Sequence, residues 1–197
     1  LTLWVRPVPL DLDIAVCTWQ QEIVSGDGGD RYRVFTVDLA RDLPETARPG
    51  GYVTPHRWLY DKTVLRRNVI ENNCGRGLLY QGQNLEVYEN VFRNNTYADI
   101  ALGPVSIREG PFVRHAVIRD NRFVGSTWDT TTSGIARNGS IKIYQNCKPA
   151  FTDEPFNTDI LIRNNLFEGI NHGPAVSAIA IANAQDVRLE GNCFVDC

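Results

Sequence analysis

The sequence predicts an all-β fold, a right-handed parallel β-helix, with an irregular β excursion over residues 1–60 ahead of regular coils over residues 61–197. Three observations predict it. One asparagine column recurs five times, hydrophobic residues stand at fixed offsets from each asparagine, and the intervals between repeats are uneven.

The asparagines are Asn68, Asn90, Asn121, Asn165 and Asn192. Two residues after each stands Ile70, Phe92, Phe123, Phe167 or Phe194. Three residues before each stands Leu65, Val87, Ile118, Ile162 or Leu189, and five before stands Thr63, Leu85, Ala116, Ile160 or Val187. Offsets of two along the chain are the period of a strand with one buried face. The intervening positions Arg66, Tyr88, Arg119, Arg163 and Glu190 are mostly polar and suit the outer face. Each recurrent asparagine is expected to mark a turn, because Asn tolerates left-handed backbone geometry and bonds to the nearby chain. The phenylalanine column should stack inside.

The intervals are 22, 31, 44 and 27 residues. An array of helical hairpins keeps a steadier period. Stacked parallel strands need only hold their register, so loops between them can grow outward. The shortest interval is about one coil, and the longer ones imply insertions, chiefly at 125–139 and 145–157. An antiparallel sandwich also uses short alternating strands, but it has no need of one Asn-x-Phe column in every unit.

A second strand follows each asparagine strand. Leu78, Ile100, Ile141 and Ile179 form one expected inward stack, and Tyr80, Leu102, Ile143 and Ile181 the next. Strict alternation then turns three columns outward: Gly77, Asp99, Ser140 and Ala178; Leu79, Ala101, Lys142 and Ala180; Gln81, Gly103, Tyr144 and Ala182. Adjacent coils lie ~4.8 Å apart. Asp99, Lys142, Gln81 and Tyr144 would therefore share a patch edged by Arg76 and by Arg108 with Glu109. Small residues leave room there, which suits a flat polar ligand such as a sugar. The plainer alternative makes Asp99 and Lys142 a solvated ion pair.

Residues 1–60 do not join this ladder. They hold Pro7, Pro9, Pro44, Pro49 and Pro55, a turn-like Gly26-Asp27-Gly28-Gly29 and a strand at Val34-Phe35-Thr36-Val37. The segment reads as an excursion ahead of the coils and not as an independent domain. At the other end the chain stops at Cys197, just past a ladder position. An open coil edge invites pairing, so a further domain, a partner chain or a disulfide is expected to cover it.

Composition narrows the function classes. The chain is 43% hydrophobic and 22% charged, as ordinary globular proteins are. A net charge of −3 argues against a nucleic-acid partner. No apolar run approaches the ~20 residues of a membrane helix. The chain has no Met, even at position 1, which reads as a processed or partial product. Its five cysteines, Cys17, Cys74, Cys147, Cys193 and Cys197, match no zinc spacing. They fit either a secreted protein with one or two disulfides or simple buried thiols. Asn94-Asn95-Thr96 and Asn138-Gly139-Ser140 are glycosylation-type triplets, with Asn94 and Asn138 as acceptors. His56, His115 and His172 show no ligand spacing, and neither a metal nor a cofactor is expected.

The run from Leu65 through Asn68, Asn72-Asn73-Cys74-Gly75-Arg76-Gly77-Leu78-Leu79, and on to Asn90 and Phe92 resembles glycoside hydrolase family 110. These are β-helical exo-α-galactosidases acting on terminal α-1,3-linked galactose. Leu43-Pro44-Glu45, Arg48-Pro49-Gly50, Arg108-Glu109-Gly110 and Ser140-Ile141-Lys142-Ile143-Tyr144 are similar to further family segments in the same order. The likeness covers roughly residues 34–197. Two departures stand out. Leu102-Gly103 occupies the place of a family glycine–aspartate pair, and Gln145-Asn146 that of proline–glutamate.

Two readings follow. In the first, the protein is a secreted glycosidase acting on α-galactosides. Asp99 and Glu109 would supply the two carboxyl groups that glycoside hydrolysis needs. Arg76, Gln81, Arg108, Lys142, Tyr144 and Gln145 would hold the sugar. In the second, it is an extracellular β-helix that binds carbohydrate without cleaving it or builds a larger assembly.

Overall fold

The structure, a computed structural model, describes residues 2–4, 9–11, 14–25, 30–39, 42, 52–54, 62–104, 111–128, 138–144, 157–173, 176–182 and 184–197. The chain divides into two compact units, Leu1–His56 and Arg57–Cys197.

In the first unit Thr2–Trp4 pairs antiparallel with both Pro9–Asp11 and Tyr52–Thr54. Ile14–Ser25 pairs antiparallel with Asp30–Leu39, which contains the expected Val34-Phe35-Thr36-Val37 strand. The turn expected at Gly26-Asp27-Gly28-Gly29 lies outside the described residues.

The second unit is a stack of coils, and its described strands form three parallel ladders. The first ladder comprises Thr63–Arg66, Gln83–Tyr88, Arg114–Arg119, Asn157–Arg163 and Ala184–Glu190. The second comprises Val69–Glu71, Val91–Arg93, Arg122–Val124, Leu166–Glu168 and Cys193–Val195. The third comprises Leu78–Tyr80, Ile100–Leu102, Asn138–Ile143 and Val176–Ile181. The register is the one the sequence columns require. Phe92 pairs with Ile70 and Phe123, and Phe167 with Phe123 and Phe194. Ile100 lies between Leu78 and Ile141, and Leu102 between Tyr80 and Ile143.

The phenylalanine column is a continuous stack. Ring centroids are 5.2 Å apart for Phe92 and Phe123, 4.7 Å for Phe123 and Phe167, and 5.1 Å for Phe167 and Phe194. The first three rings are fully buried, and Phe194 on the last coil is 51% exposed. Offset aromatic pairs at such spacing add about 0.5–1.5 kcal/mol beyond the area they bury. Leu85, Val87, Ile118, Ile141, Ile143, Ile160 and Ile162 complete the core, and Ala116 is buried with them despite its small size.

The recurrent asparagines do more than turn the chain. Asn90, Asn121 and Asn165 are buried, and each side-chain oxygen accepts two hydrogen bonds from the asparagine of the preceding coil. Their amides in turn donate to backbone carbonyls of the first ladder, as Asn121 does to Val87 and Arg119. The left-handed conformation expected of these asparagines falls instead on the residue before: Arg67, Glu89, Asp120, Asn164 and Gly191 all have positive φ. Two further corners repeat the device. One uses Asn72, Asn94, Gly125, Gly169 and Asp196, and the other Asn84, His115, Asp159 and Asp186. Asn, Asp and Gly dominate because they tolerate this region best.

The expected insertions fall largely at 129–137 and 145–156, outside the described residues.

Candidate functional site

The corner that leads into the third ladder holds a second polar column. Asn73 donates from its backbone N–H and its amide to Asn95 Oδ1, at 3.1 and 3.0 Å. Asn95 passes its own N–H to Ser126 Oγ at 3.1 Å and its amide to the Ile70 carbonyl at 3.2 Å. Asn95 Nδ2 also donates to Asp99 Oδ1 at 2.7 Å.

Asp99 is therefore inside the coil, and the outward placement expected from strand alternation is corrected. It is completely buried. A side chain added at Gly77, its neighbour one coil back, would point at Phe92 and Ile70. Ala178, at the other end of the same column, packs in the core. The chain bends at this corner, so Asp99 and Ile100 both lie inside instead of on opposite faces. Burial pushes the Asp99 carboxyl up to about 6, while Asn95 and the nearby Ser126 and Ser140 hydroxyls favour the ionised form. Asp99 Oδ2 and Ser140 Oγ are both buried without a direct hydrogen bond. The alternative of a solvated Asp99–Lys142 ion pair is excluded by the same burial.

The outward faces of Ala101 and Lys142 do stand in register. Lys142 Nζ donates to Asn138 Oδ1 at 3.2 Å and lies 4.8 Å from the centroid of the Tyr144 ring. Tyr144 is only 6% exposed and packs on Ala98 and Ala101. Its ring is thus the floor of this face, not an open stacking surface. Partial burial first, and then the nearby Arg76 guanidinium, hold the Lys142 ammonium below its usual range. Arg76 and Leu79 are exposed, Gln81 is half-buried, and Ala180 lies beside Lys142 on the next coil. The structure therefore brings Lys142 and Tyr144 together and leaves Asp99 out. Arg108, Glu109 and Gln145 lie outside the described residues.

The profile of the right-handed β-helix region family matches residues 60–197. The chain belongs to that family. No curated protein and no solved structure matches it. The match settles the hand of the solenoid, because parallel ladders alone leave it open.

Of the two expected glycan acceptors, Asn138 is 5% exposed and its Oδ1 accepts from Lys142 Nζ. Asn94 is exposed at a corner, with its amide on Asn72 Oδ1 at 2.7 Å. Cys74, Cys193 and Cys197 are exposed free thiols, neither buried nor disulfide-bonded. Cys147 lies outside the described residues, as does the side chain of Cys17.

Sequence reasoning missed two clusters. Trp128, 54% exposed, stacks on His172 with centroids 4.5 Å apart. Both stand seven residues after their asparagine, and Tyr97 shares that column, so the signal was present one strand beyond the repeat. On the first ladder, His115 Nδ1 lies 2.6 Å from Asp159 Oδ2, with Arg188 3.8 Å from the other oxygen. A cleft of about 280 Å³ beside His115 is lined also by Lys62 and Glu86, which pair at 2.8 Å. Among the described residues no group of three metal-ligating side chains converges, and no helix is long and apolar enough to cross a membrane.

Proposed function

We propose that this β-helix is an extracellular carbohydrate-binding protein whose third ladder presents the binding face. The observation that carries the reading is Lys142, which donates to Asn138 and lies over the Tyr144 ring, itself packed on the small residues Ala98 and Ala101. Fixed donors over a shallow, small-residue floor suit the hydroxyl-rich edge of a sugar. The likeness to exo-α-galactosidases supports the same ligand class.

Hydrolysis is the less favoured use of the face. Inversion needs two carboxyl groups about 6.5–9.5 Å apart across the bond, one as acid and one as base. Asp99 has no exposed surface with which to meet a substrate, which leaves Glu109 without the partner first assigned to it.

Calorimetric titration of the full chain with neutral and α-1,3-galactosyl oligosaccharides tests the reading. Binding without galactose release is expected. Arg76→Gln combined with Lys142→Gln should weaken it at least about tenfold, the effect of one lost hydrogen bond to a charged group. Absence of glycan binding overturns the proposal. Galactose release abolished by Glu109→Gln replaces it with the hydrolase reading.

A further inference from the structure

Asp99 is the only charged side chain that is buried among the described residues. Its corner encloses four polar side chains on two coils. Asn95 and Asp99 stand on one coil, and Ser126 and Ser140 take the matching positions on the next. All four are completely buried. The coil before contributes Asn73 and Gly77, and a Cβ at Gly77 would come within 2.6 Å of the Asp99 carbonyl. The coil after contributes the buried apolar residues Ile170 and Ala178. None of these neighbours carries a charge to balance the carboxylate.

The donors of this corner are already committed. The Asn95 side-chain amide gives its two protons to the Ile70 carbonyl and to Asp99 Oδ1, at 3.2 and 2.7 Å. Ser126 directs its hydroxyl to the Val124 carbonyl at 3.4 Å. Asp99 Oδ2 and Ser140 Oγ have no direct partner. They belong to neighbouring strands, one residue ahead of the paired Ile100 and Ile141. Such strands lie ~4.8 Å apart, a spacing that one ion between two oxygens can bridge.

A buried carboxylate with neither a counter-charge nor a full set of hydrogen bonds is costly. Water would supply a donor but no charge. A proton neutralises the group only until pH rises past about 6. A metal cation supplies the charge and coordinates both oxygens. Carboxylate and hydroxyl oxygens suit hard cations. A calcium site draws on several carboxylates, whereas the single acid here balances a single positive charge.

We propose that this corner binds one monovalent metal cation, sodium or potassium, between Asp99 Oδ2 and Ser140 Oγ. The site lies inside the coil and is separate from the glycan face.

The test is thermal unfolding of the full chain at about pH 8 in sodium, potassium or choline chloride, at one ionic strength of about 0.2 M. Choline is too large for the corner, so in choline the carboxylate bears its full burial cost. Sodium or potassium should lessen that cost and raise the melting temperature by about 3 °C or more, saturably with concentration. The ion that gives the larger rise is the occupant. The rise should vanish in Asp99→Asn, and Ser140→Ala should move its half-maximal concentration upward about tenfold. Equal melting in the three salts overturns the inference, as does a rise that Asp99→Asn retains. Where Asp99→Asn does not fold, Ser140→Ala decides alone, and an unmoved half-maximal concentration overturns the inference.

Discussion

Asn121 Oδ1 accepts two hydrogen bonds from Asn90, one from its backbone N–H at 3.0 Å and one from its side-chain amide at 2.9 Å. Asn121 passes the same pair of bonds to Asn165, 44 residues on, at 3.0 Å each. Insertions of different length between coils therefore leave the ladder unchanged. The corner fixes where each strand of the second ladder begins, and the loop can lie elsewhere on the coil.

Asn121→Ala should be among the most damaging single changes in this β-helix. It strips the acceptor from the buried Asn90 N–H and a donor from the Val87 carbonyl, while the Asn90 amide keeps the Leu65 and Tyr88 carbonyls. Each buried group left without a partner costs about 1–3 kcal/mol. A loss of about 3 kcal/mol or more is expected in urea unfolding. Asn192→Ala, at the half-buried end of the column, should cost less. Equal losses at the two sites would mean that burial does not set the strength of the ladder.

Phe123 has a ring on both sides, whereas Phe194 has one on a single side and is half exposed. Phe123→Ala is expected to destabilise the coils by about 3–5 kcal/mol, the usual range for emptying a packed aromatic site. Phe194→Ala should cost less than half of that. Thermal unfolding of both variants checks the order.

The parts of this arrangement that were legible in the sequence are those with a fixed residue type. Phe123 over Phe92 and Ile141 beside Ile100 followed from columns that repeat one kind of side chain. The left-handed corners were not legible. The position before each ladder asparagine holds Arg67, Glu89, Asp120, Asn164 and Gly191, and only the backbone is alike. Asp99 was misplaced for a different reason. Alternation holds along a strand but fails at the bend that starts one, and a strand of three residues is mostly ends. Burial of Tyr144 was hidden because the columns give neighbours between coils but not what lies over a face.

Asn94 adopts φ 53 at an exposed corner. Asn94→Gly should leave stability within about 0.5 kcal/mol, because Gly enters this region without steric cost. Asn94→Val should lose about 1–2 kcal/mol, since a branched Cβ clashes there. The comparison also reports on glycosylation. If the Asn94-Asn95-Thr96 triplet carries a glycan, both variants lose the same mass in a secreting host.

Asp99 gives the molecule a pH dependence of unusual direction. Burial raises its folded-state carboxyl to about 6, above the ordinary 3.8. The folded protein thus holds this proton more tightly than the unfolded chain. Below about pH 3.8 the group is neutral in both states and imposes no penalty. As pH rises toward 6, the unfolded chain ionises freely while the folded one resists, and stability falls. Above 6 the penalty is complete, on the order of 2–3 kcal/mol. Asp99→Asn isolates this contribution. Subtracting the variant's unfolding free energy from that of the wild type at each pH should give a difference that declines between about pH 4 and pH 6 and is flat above. A difference that instead rises across that window would mean that the Asp99 carboxylate is stabilised inside the coil, with the Asn95 hydrogen bond and the nearby Ser126 and Ser140 hydroxyls outweighing its burial.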